Sequence, residues 1–279
     1  MHRDAGAQGL VILDTNVYKK LESVEIIRSM ESSLRAAQLV AWPSSINAFE
    51  LSLIEPAETR QRMLETVKVI LGENVLLPWP TILLQELAAA AADGRSSVKV
   101  IPTFADALVH DSDAAVRERD EVVEIIESLE NGFNLMHANA REEIQAFLKS
   151  EGLRSEWDSA GEFLDRLWMT SHMAGSFAEL FWTRLKLSGN VPSTLLLQIP
   201  AWRMFLEIEG LGVFERAVVQ AQPKRVHRLD LLQLVYLGRA GRGILVTDDK
   251  PLQRAAFALL NRRHTATRVM SSDEFLASF

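Results

Sequence analysis

Two short apolar runs, one near each end of the chain, stop on carboxylates: Gly9-Leu10-Val11-Ile12-Leu13-Asp14-Thr15-Asn16 and Gly243-Ile244-Leu245-Val246-Thr247-Asp248-Asp249. Runs of this length bounded by turn formers read as buried strands rather than helices. In an open α/β sheet, the carboxyl ends of such strands form the edge where ligands and metals bind. A fold that buries both runs must bring the two ends of the chain into one sheet, with acids along its edge.

Between the runs the pattern is helical with a few further strands. Val24, Ile27, Met30 and Leu34 recur on one side of a helix from about 23 to 37, and Val40-Ala41-Trp42-Pro43 suggests a short strand entering a loop. Ser44-Ser45 can cap a helix carrying Ile46, Phe49, Glu50 and Leu53. Further helices are expected over 58–71 and 81–92, with a brief extended segment at 74–78. From about 93 to 225 strand alternation nearly disappears, and amphipathic helices are expected at 112–130, 137–150, 159–171, 173–187 and 200–219. The α/β pattern resumes with a helix from Leu229 to Tyr236, a strand at 243–246, a helix at 251–261, a strand at 267–270 and a terminal helix capped by Ser272 or Asp273. Alternating strands and helices imply parallel strands joined by right-handed crossovers. The expected fold is therefore α/β, a doubly wound parallel sheet built from residues 1–92 and 226–279, with a long all-helical insertion at 93–225.

Composition narrows the chemistry. At 279 residues and 48% apolar content, the chain can bury a sizeable core. It has no cysteine, so disulfides, thiolate metal sites and thiol nucleophiles are excluded, and any metal must be held by oxygen or imidazole. The first residues carry no apolar leader, and no stretch approaches the roughly 18 apolar residues of a membrane span. A cytoplasmic protein without membrane association is the expectation. The net charge of -7 is unevenly spread: residues 220–270 hold ten basic side chains against Asp230, Asp248 and Asp249, so a basic face beside a carboxylate cluster can form.

Asp14 ends a strand, Glu50 and Asp230 fall early in helices, and Asp249 sits in the loop after the strand at 243–246. Singly, each has a plain structural reading, as a turn former, a helix cap or a first-turn acid favoured by the helix dipole. Gathered together they would repel one another, and a divalent cation resolves that conflict. Oxygen-only ligands suit one or two magnesium or manganese ions, which engage phosphate oxygens. Thr15, Asn16, Thr247 and Asp248 are placed to orient those carboxylates, a water or a phosphate. Metal-assisted phosphodiester hydrolysis follows as the chemistry to expect. His110, His137, His172 and His227 are scattered without metal-ligand spacing. Trp157, Trp168, Trp182 and Trp202 fall at helical spacing that favours core over base stacking.

These features together resemble the PIN-domain nucleases, a superfamily that includes ribonuclease toxins of bacterial toxin–antitoxin modules and enzymes that process or decay RNA. The resemblance runs through Val11-Ile12-Leu13-Asp14-Thr15-Asn16, Ser44-Ser45-Ile46-Asn47-Ala48-Phe49-Glu50, Arg228-Leu229-Asp230-Leu231 and Leu245-Val246-Thr247-Asp248-Asp249-Lys250-Pro251-Leu252. In the last stretch, the Thr-x-Asp-x-x-hydrophobic form selects Asp249. The resemblance implies an α/β/α fold and a magnesium- or manganese-dependent endoribonuclease with Asp14, Glu50, Asp230 and Asp249 as catalytic and metal-binding residues. RNA is the implied substrate, and an antitoxin-like protein is a further partner it brings in; separately, an apolar face of the insertion can complete its own bundle or pair two copies of the chain. Two other readings stay open: a DNA structure-specific nuclease, and a catalytically weak PIN-like scaffold that binds RNA or protein. The helical insertion departs from compact toxin forms. A dinucleotide-binding enzyme is disfavoured, because neither strand is followed by Gly-x-Gly-x-x-Gly.

Overall fold

The computed structural model describes residues 9–18, 20–21, 24–52, 54, 56–71, 75–76, 79, 82–83, 86, 100–101, 142, 145–152, 159–168, 193–218, 228–240, 242–260 and 266–278. The expected helices at 112–130 and 173–187, with His110, His137, His172, His227, Trp157 and Trp182, lie outside these residues.

Four parallel strands, β1 (Gly9–Leu13), β2 (Leu39–Ala41), β5 (Gly243–Val246) and β6 (Thr267–Met270), form one sheet in the order β2-β1-β5-β6. The runs from the two ends of the chain are therefore direct neighbours, with Leu10 opposite Gly243 and Leu13 opposite Val246. From β1 the chain moves outward to β2, and from β5 it moves outward the other way to β6. The direction of winding reverses between β1 and β5, and such a reversal opens a crevice at the strands' carboxyl ends.

Side chains of β1 point alternately to the two faces, and both faces are covered. Val11 and Leu13 join Met30 and Leu34 of α2 (Val24–Ala36) and Met63, Leu64 and Val67 of α4 (Ala57–Leu71) in one core. Leu10 and Ile12 join a larger core on the opposite face. That core draws on α9 (Leu234–Ala240), α10 (Lys250–Leu260) and the long α7 (Pro200–Val218), where Pro200 sits at the first helical position and so loses no needed hydrogen bond. Covered on both faces, β1 has no alternating polar residues, as parallel strands require.

The helix α7 is buried almost all round, with Glu207 and Glu209 among its buried residues, and it sits in the larger core. Trp202 is fully buried, donates its indole N–H to the Leu83 carbonyl at 2.8 Å, and meets Phe205 edge-on at 6.0 Å between ring centroids. Trp79 stacks on the same Phe205 at 5.3 Å. Glu207 lies in the same buried stretch. Burial pushes its carboxyl up to about 7, against the pull of Arg203 one turn back at 3.3 Å. At Gly238 of α9 a Cβ would stand 2.7 Å from the Met204 Cβ, so a glycine is what lets α9 and α7 approach so closely. The described part of the segment following residue 193 thus shares its core with the sheet.

Several expected boundaries are corrected. Residues 93–225 are not wholly helical: β4 (Val100–Ile101) pairs antiparallel with β3 (Val75–Leu76), a bridge favoured by the β-branched Val75, Val100 and Ile101. The helix expected over 229–236 is two helices, α8 (Arg228–Leu232) and α9, separated at Gln233 by bonds from the Gln233 amide to the Asp230 carbonyl and from the Tyr236 amide to the Gln233 carbonyl, each 3.3 Å. These three-residue steps tighten the chain and turn it. The segment expected as a helix over 159–171 is α5 (Ala160–Phe163) running into a π-turn at Leu164–Trp168. The short α6 (Ser193–Gln198) leads into α7. No helix among the described residues is long and apolar enough to cross a membrane.

The terminal helix α11 (Ser272–Ala277) is capped by Ser271, not by Ser272 or Asp273. The Ser271 hydroxyl accepts from the Glu274 amide at 3.2 Å, and the Glu274 carboxylate accepts from the Ser271 amide at 2.7 Å, a reciprocal capping box. Ser271→Ala is expected to lower stability by about 1 kcal/mol in chemical denaturation. An unchanged midpoint would show that α11 is held by Phe275 packing alone.

Candidate active site

The crevice between β1 and β5 is where the acids gather. The Asp14 amide donates to the Val246 carbonyl at 2.8 Å, extending the ladder one residue beyond β1 and fixing Asp14 at the sheet edge. Its side chain is nearly buried and accepts from the Thr247 hydroxyl at 2.7 Å. Burial pushes the Asp14 carboxyl up, and the charge of Asp249 adds to that; bonds from Thr247, the Thr15 amide and Asn16 pull it back. Thr247, fully buried, links the two strand ends, because its hydroxyl also accepts from the Asp249 amide at 3.1 Å.

Asp249 is exposed and starts α10. Its Oδ1 accepts from the Leu252 amide at 2.9 Å while its carbonyl accepts from the Gln253 amide at 2.8 Å, the geometry of an N-cap. Asp248 takes the other direction. It accepts from the Ser272 amide at 3.0 Å and pairs with Lys20 at 3.0 Å, tying the β5 loop to α11. Burial works against its ionisation, yet the Ser272 and Lys20 contacts hold the carboxyl below the usual range. The two adjacent carboxylates thus serve different elements, Asp249 the start of α10 and Asp248 the start of α11.

Glu50 lies on α3 (Ser45–Ser52) and accepts from the Thr15 hydroxyl. Thr15 accepts in turn from the Asn47 amide group at 3.3 Å. Asn47 is itself fixed, since its Oδ1 accepts from the Ser44 amide and hydroxyl at 2.9 Å each. Ser44 and Asn47 thus form a capping pair at the start of α3 that also reaches the strand-end acid segment. Asn47 was not expected to bear on the site. The spacing Ser44-x-x-Asn47 was its available signal.

Asp230, in the first turn of α8, is half-buried and lies within electrostatic reach of the other three acids. Its carboxyl is pushed up to about 8, first by burial, then by the charges of Glu50 and Asp14, by a hydrogen bond to Glu50, and by the charge of Asp249. Sequence positions spread over nearly the whole chain therefore converge electrostatically on one carboxyl. A proton shared between Asp230 and Glu50 is one way of relieving that repulsion, and a cation is another. The donors are all oxygens, which fits a hard divalent cation. As the side chains stand, no three His, Cys, Asp or Glu among the described residues are placed to hold an ion jointly.

Tyr18 adds a group that the sequence did not single out. It is one helical turn beyond Asp14, on α1 (Thr15–Tyr18), and its hydroxyl is buried with no hydrogen-bond partner among the described residues. Burial, then the Asp14 charge, push its phenol far up, so it stays a neutral donor beneath the acids at all working pH. An aromatic at i+4 from a site acid was the only sequence signal. No family model, no curated protein and no solved structure matches the chain.

Proposed function

We propose that the chain is a divalent-cation-dependent phosphodiesterase, an endoribonuclease of the PIN-domain kind, acting at the crevice between β1 and β5. The observation that carries the reading is the set of acids around Asp230, which is hydrogen-bonded to Glu50 and whose carboxyl is raised to about 8 by burial first and then by Glu50, Asp14 and Asp249. The parallel sheet order, with its reversal between the two acid-bearing strands, supports the same reading. Asp14, Glu50, Asp230 and Asp249 would hold one or two magnesium or manganese ions. When bound, such an ion lowers the pKa of a water for attack on phosphorus and stabilises the leaving oxygen.

The chain's own residues prepare that chemistry. Thr247 holds Asp14 and the Asp249 backbone in fixed relation, and Thr15 with Asn47 fixes Glu50. Second-contact hydrogen bonds of this kind orient ligating carboxylates and limit their loss of entropy on binding. For all four acids to act as ligands, the proton held by Asp230 and Glu50 must leave.

Two measurable consequences follow from that proton. Affinity for manganese is expected to rise about tenfold per pH unit up to about pH 8, then level off, because ligation releases one proton. Calorimetric titration from pH 6 to 9 checks this, and a flat profile would remove Asp230 from the ligand set. Without added metal, the native state keeps a proton that the unfolded chain loses above its ordinary carboxyl value of 3.8, so stability falls as pH rises from there through about 8. Asp230→Asn relieves the repulsion and is expected to gain about 1–2 kcal/mol at pH 8 while losing metal-dependent cleavage. A destabilised variant at that pH would contradict the convergence of charges.

The test of the function is cleavage of single-stranded RNA, structured RNA and DNA by metal-stripped protein, with manganese or magnesium restored. Restored cutting of RNA supports the reading, and cutting of DNA alone redirects it to the deoxy polymer. No cutting of any of the three overturns it.

A further inference from the structure

Helix α10 begins one residue after Asp249 and presents an unusual outer side. Its buried residues, Leu252, Ala255, Ala256, Leu259 and Leu260, face the larger core. Opposite them stand Lys250, Arg254 and Phe257, all exposed, at spacings of four and three residues. At about 100° per residue these three fall within about 60° of arc, a single stripe on the helix. Phe257 is 59% exposed, the most exposed large apolar side chain among the described residues.

A single exposed phenylalanine is ordinary on a protein surface. Its setting is what carries meaning here. The helix Lys250–Leu260 holds no acid at all, in a chain whose net charge is -7. Arg254 makes no ion pair among the described residues. Lys250 donates to the Gln253 side chain at 3.1 Å, and the nearby Glu274 carboxylate is committed to Ser271. Two cations and an aromatic ring therefore line up from the edge of the acid crevice outward; among the described residues Lys250 feels only the charge of Glu274, and Arg254 has no ion pair. Alternating cations and aromatic faces are what a single strand of nucleic acid uses, phosphates on the cations and a base on the ring.

We infer that the Lys250-Arg254-Phe257 face of α10 is a track for single-stranded nucleic acid, carrying the strand away from the crevice between β1 and β5. The inference rests on the phosphodiesterase reading for its direction, and it adds to that reading where the polymer lies. Lys250 and Phe257 are about 10 Å apart along the helix axis. That is the rise of about three stacked nucleotides, so the ring takes a base about three positions from the phosphate that Lys250 holds.

The experiment is fluorescence titration of the full chain with a 12-nucleotide RNA, and a matching DNA, carrying one 2-aminopurine at successive positions, in chelator so that no strand is cut. Stacking on Phe257 is expected to quench the probe at one position, and Phe257→Ala is expected to relieve the quenching and weaken binding about tenfold. Lys250→Gln combined with Arg254→Gln is expected to lower the slope of log affinity against log salt by about 1.4, for two lost phosphate contacts on a single strand. All three side chains are exposed, and circular dichroism melting verifies that the variants keep their fold. Unchanged affinity, quenching and salt slope in these variants, or no binding by the parent chain, overturns the track. If variants bind as the parent does while the parent cuts RNA through Asp14 and Asp249, the track alone fails. If they bind worse and the parent never cuts, the track stands and the catalytic reading fails.

Discussion

Asp14→Asn and Asp249→Asn are each expected to lower metal-dependent cleavage by at least about 100-fold while the protein stays folded. An amide is a weak, uncharged ligand, so it cannot replace a carboxylate at a hard cation. The change at 249 keeps its structural contact, and the change at 14 keeps the bond to Thr247 while giving up part of what the carboxylate accepts from the Thr15 amide and Asn16. Asparagine is as good an N-cap as aspartate, so the bond from the Leu252 amide survives at position 249. At position 14, an amide oxygen can still accept from Thr247, and burying a neutral group costs less than burying a charge. Asp248→Asn supplies the contrast. Its carboxylate serves Ser272 and Lys20, so cleavage is expected to persist within about twofold. Initial rates under excess manganese, with melting curves for each variant, decide the matter. Full activity in the Asp14→Asn, Asp249→Asn double variant would end the proposed mechanism.

The largest expected loss of stability is at Trp202. Truncation to alanine removes a fully buried ring packed edge-on against Phe205, and leaves the Leu83 carbonyl without its indole donor. A cavity of this kind costs about 3–5 kcal/mol, a large share of what holds a domain together. Trp202→Phe separates the two contributions: it keeps most of the packing, and its cost of about 1–2 kcal/mol reports the orphaned carbonyl. Urea denaturation measures both. A loss below 1 kcal/mol on truncation would mean that α7 does not sit at the centre of the larger core. The result also bears on nucleic acid recognition, because Trp202 is thereby unable to stack on a base, whereas Phe257 is free to do so.

The parts of the fold most legible in the sequence are those fixed by strong local patterns. The strands expected at 243–246 and 267–270 form as Gly243–Val246 and Thr267–Met270, and the helix expected at 200–219 is Pro200–Val218. Proline at its first position and a long stretch rich in large apolar residues define it. The β3 and β4 strands, two residues each, are too short to show any period. The break at Gln233 has no glycine or proline to announce it; it arises because the chain must turn between two helices that both pack on α7. At the terminal helix, three successive polar residues can each cap. Only the reciprocity of Ser271 with Glu274 decides among them, and the Ser-x-x-Glu spacing was there to be read.

In the candidate site, the acids are visible in the sequence as residues that end strands or open helices. Their supports are less so. Asn47 and Tyr18 act through the third dimension: one reaches back from α3 to Thr15, the other lies under Asp14. Their local signals, the Ser44-x-x-Asn47 spacing and an aromatic four residues after Asp14, do not name the group that each one reaches. The direction of Asp248 is likewise set by where α11 happens to begin.

The pairing of β1 with β5 has a consequence for how the protein is made. Asp14 leaves the ribosome early, but its strand neighbour and Thr247 are 233 residues away in the sequence. Translation at about 5–20 residues per second therefore separates the first acid from its partner by many seconds. Until Gly243–Val246 emerges, β1 can pair only with β2, and the crevice has a single wall. A nascent chain thus carries Asp14 without the geometry to use it. For a protein proposed to cut RNA, whose own message lies within reach throughout synthesis, chain order alone delays the arming of the blade.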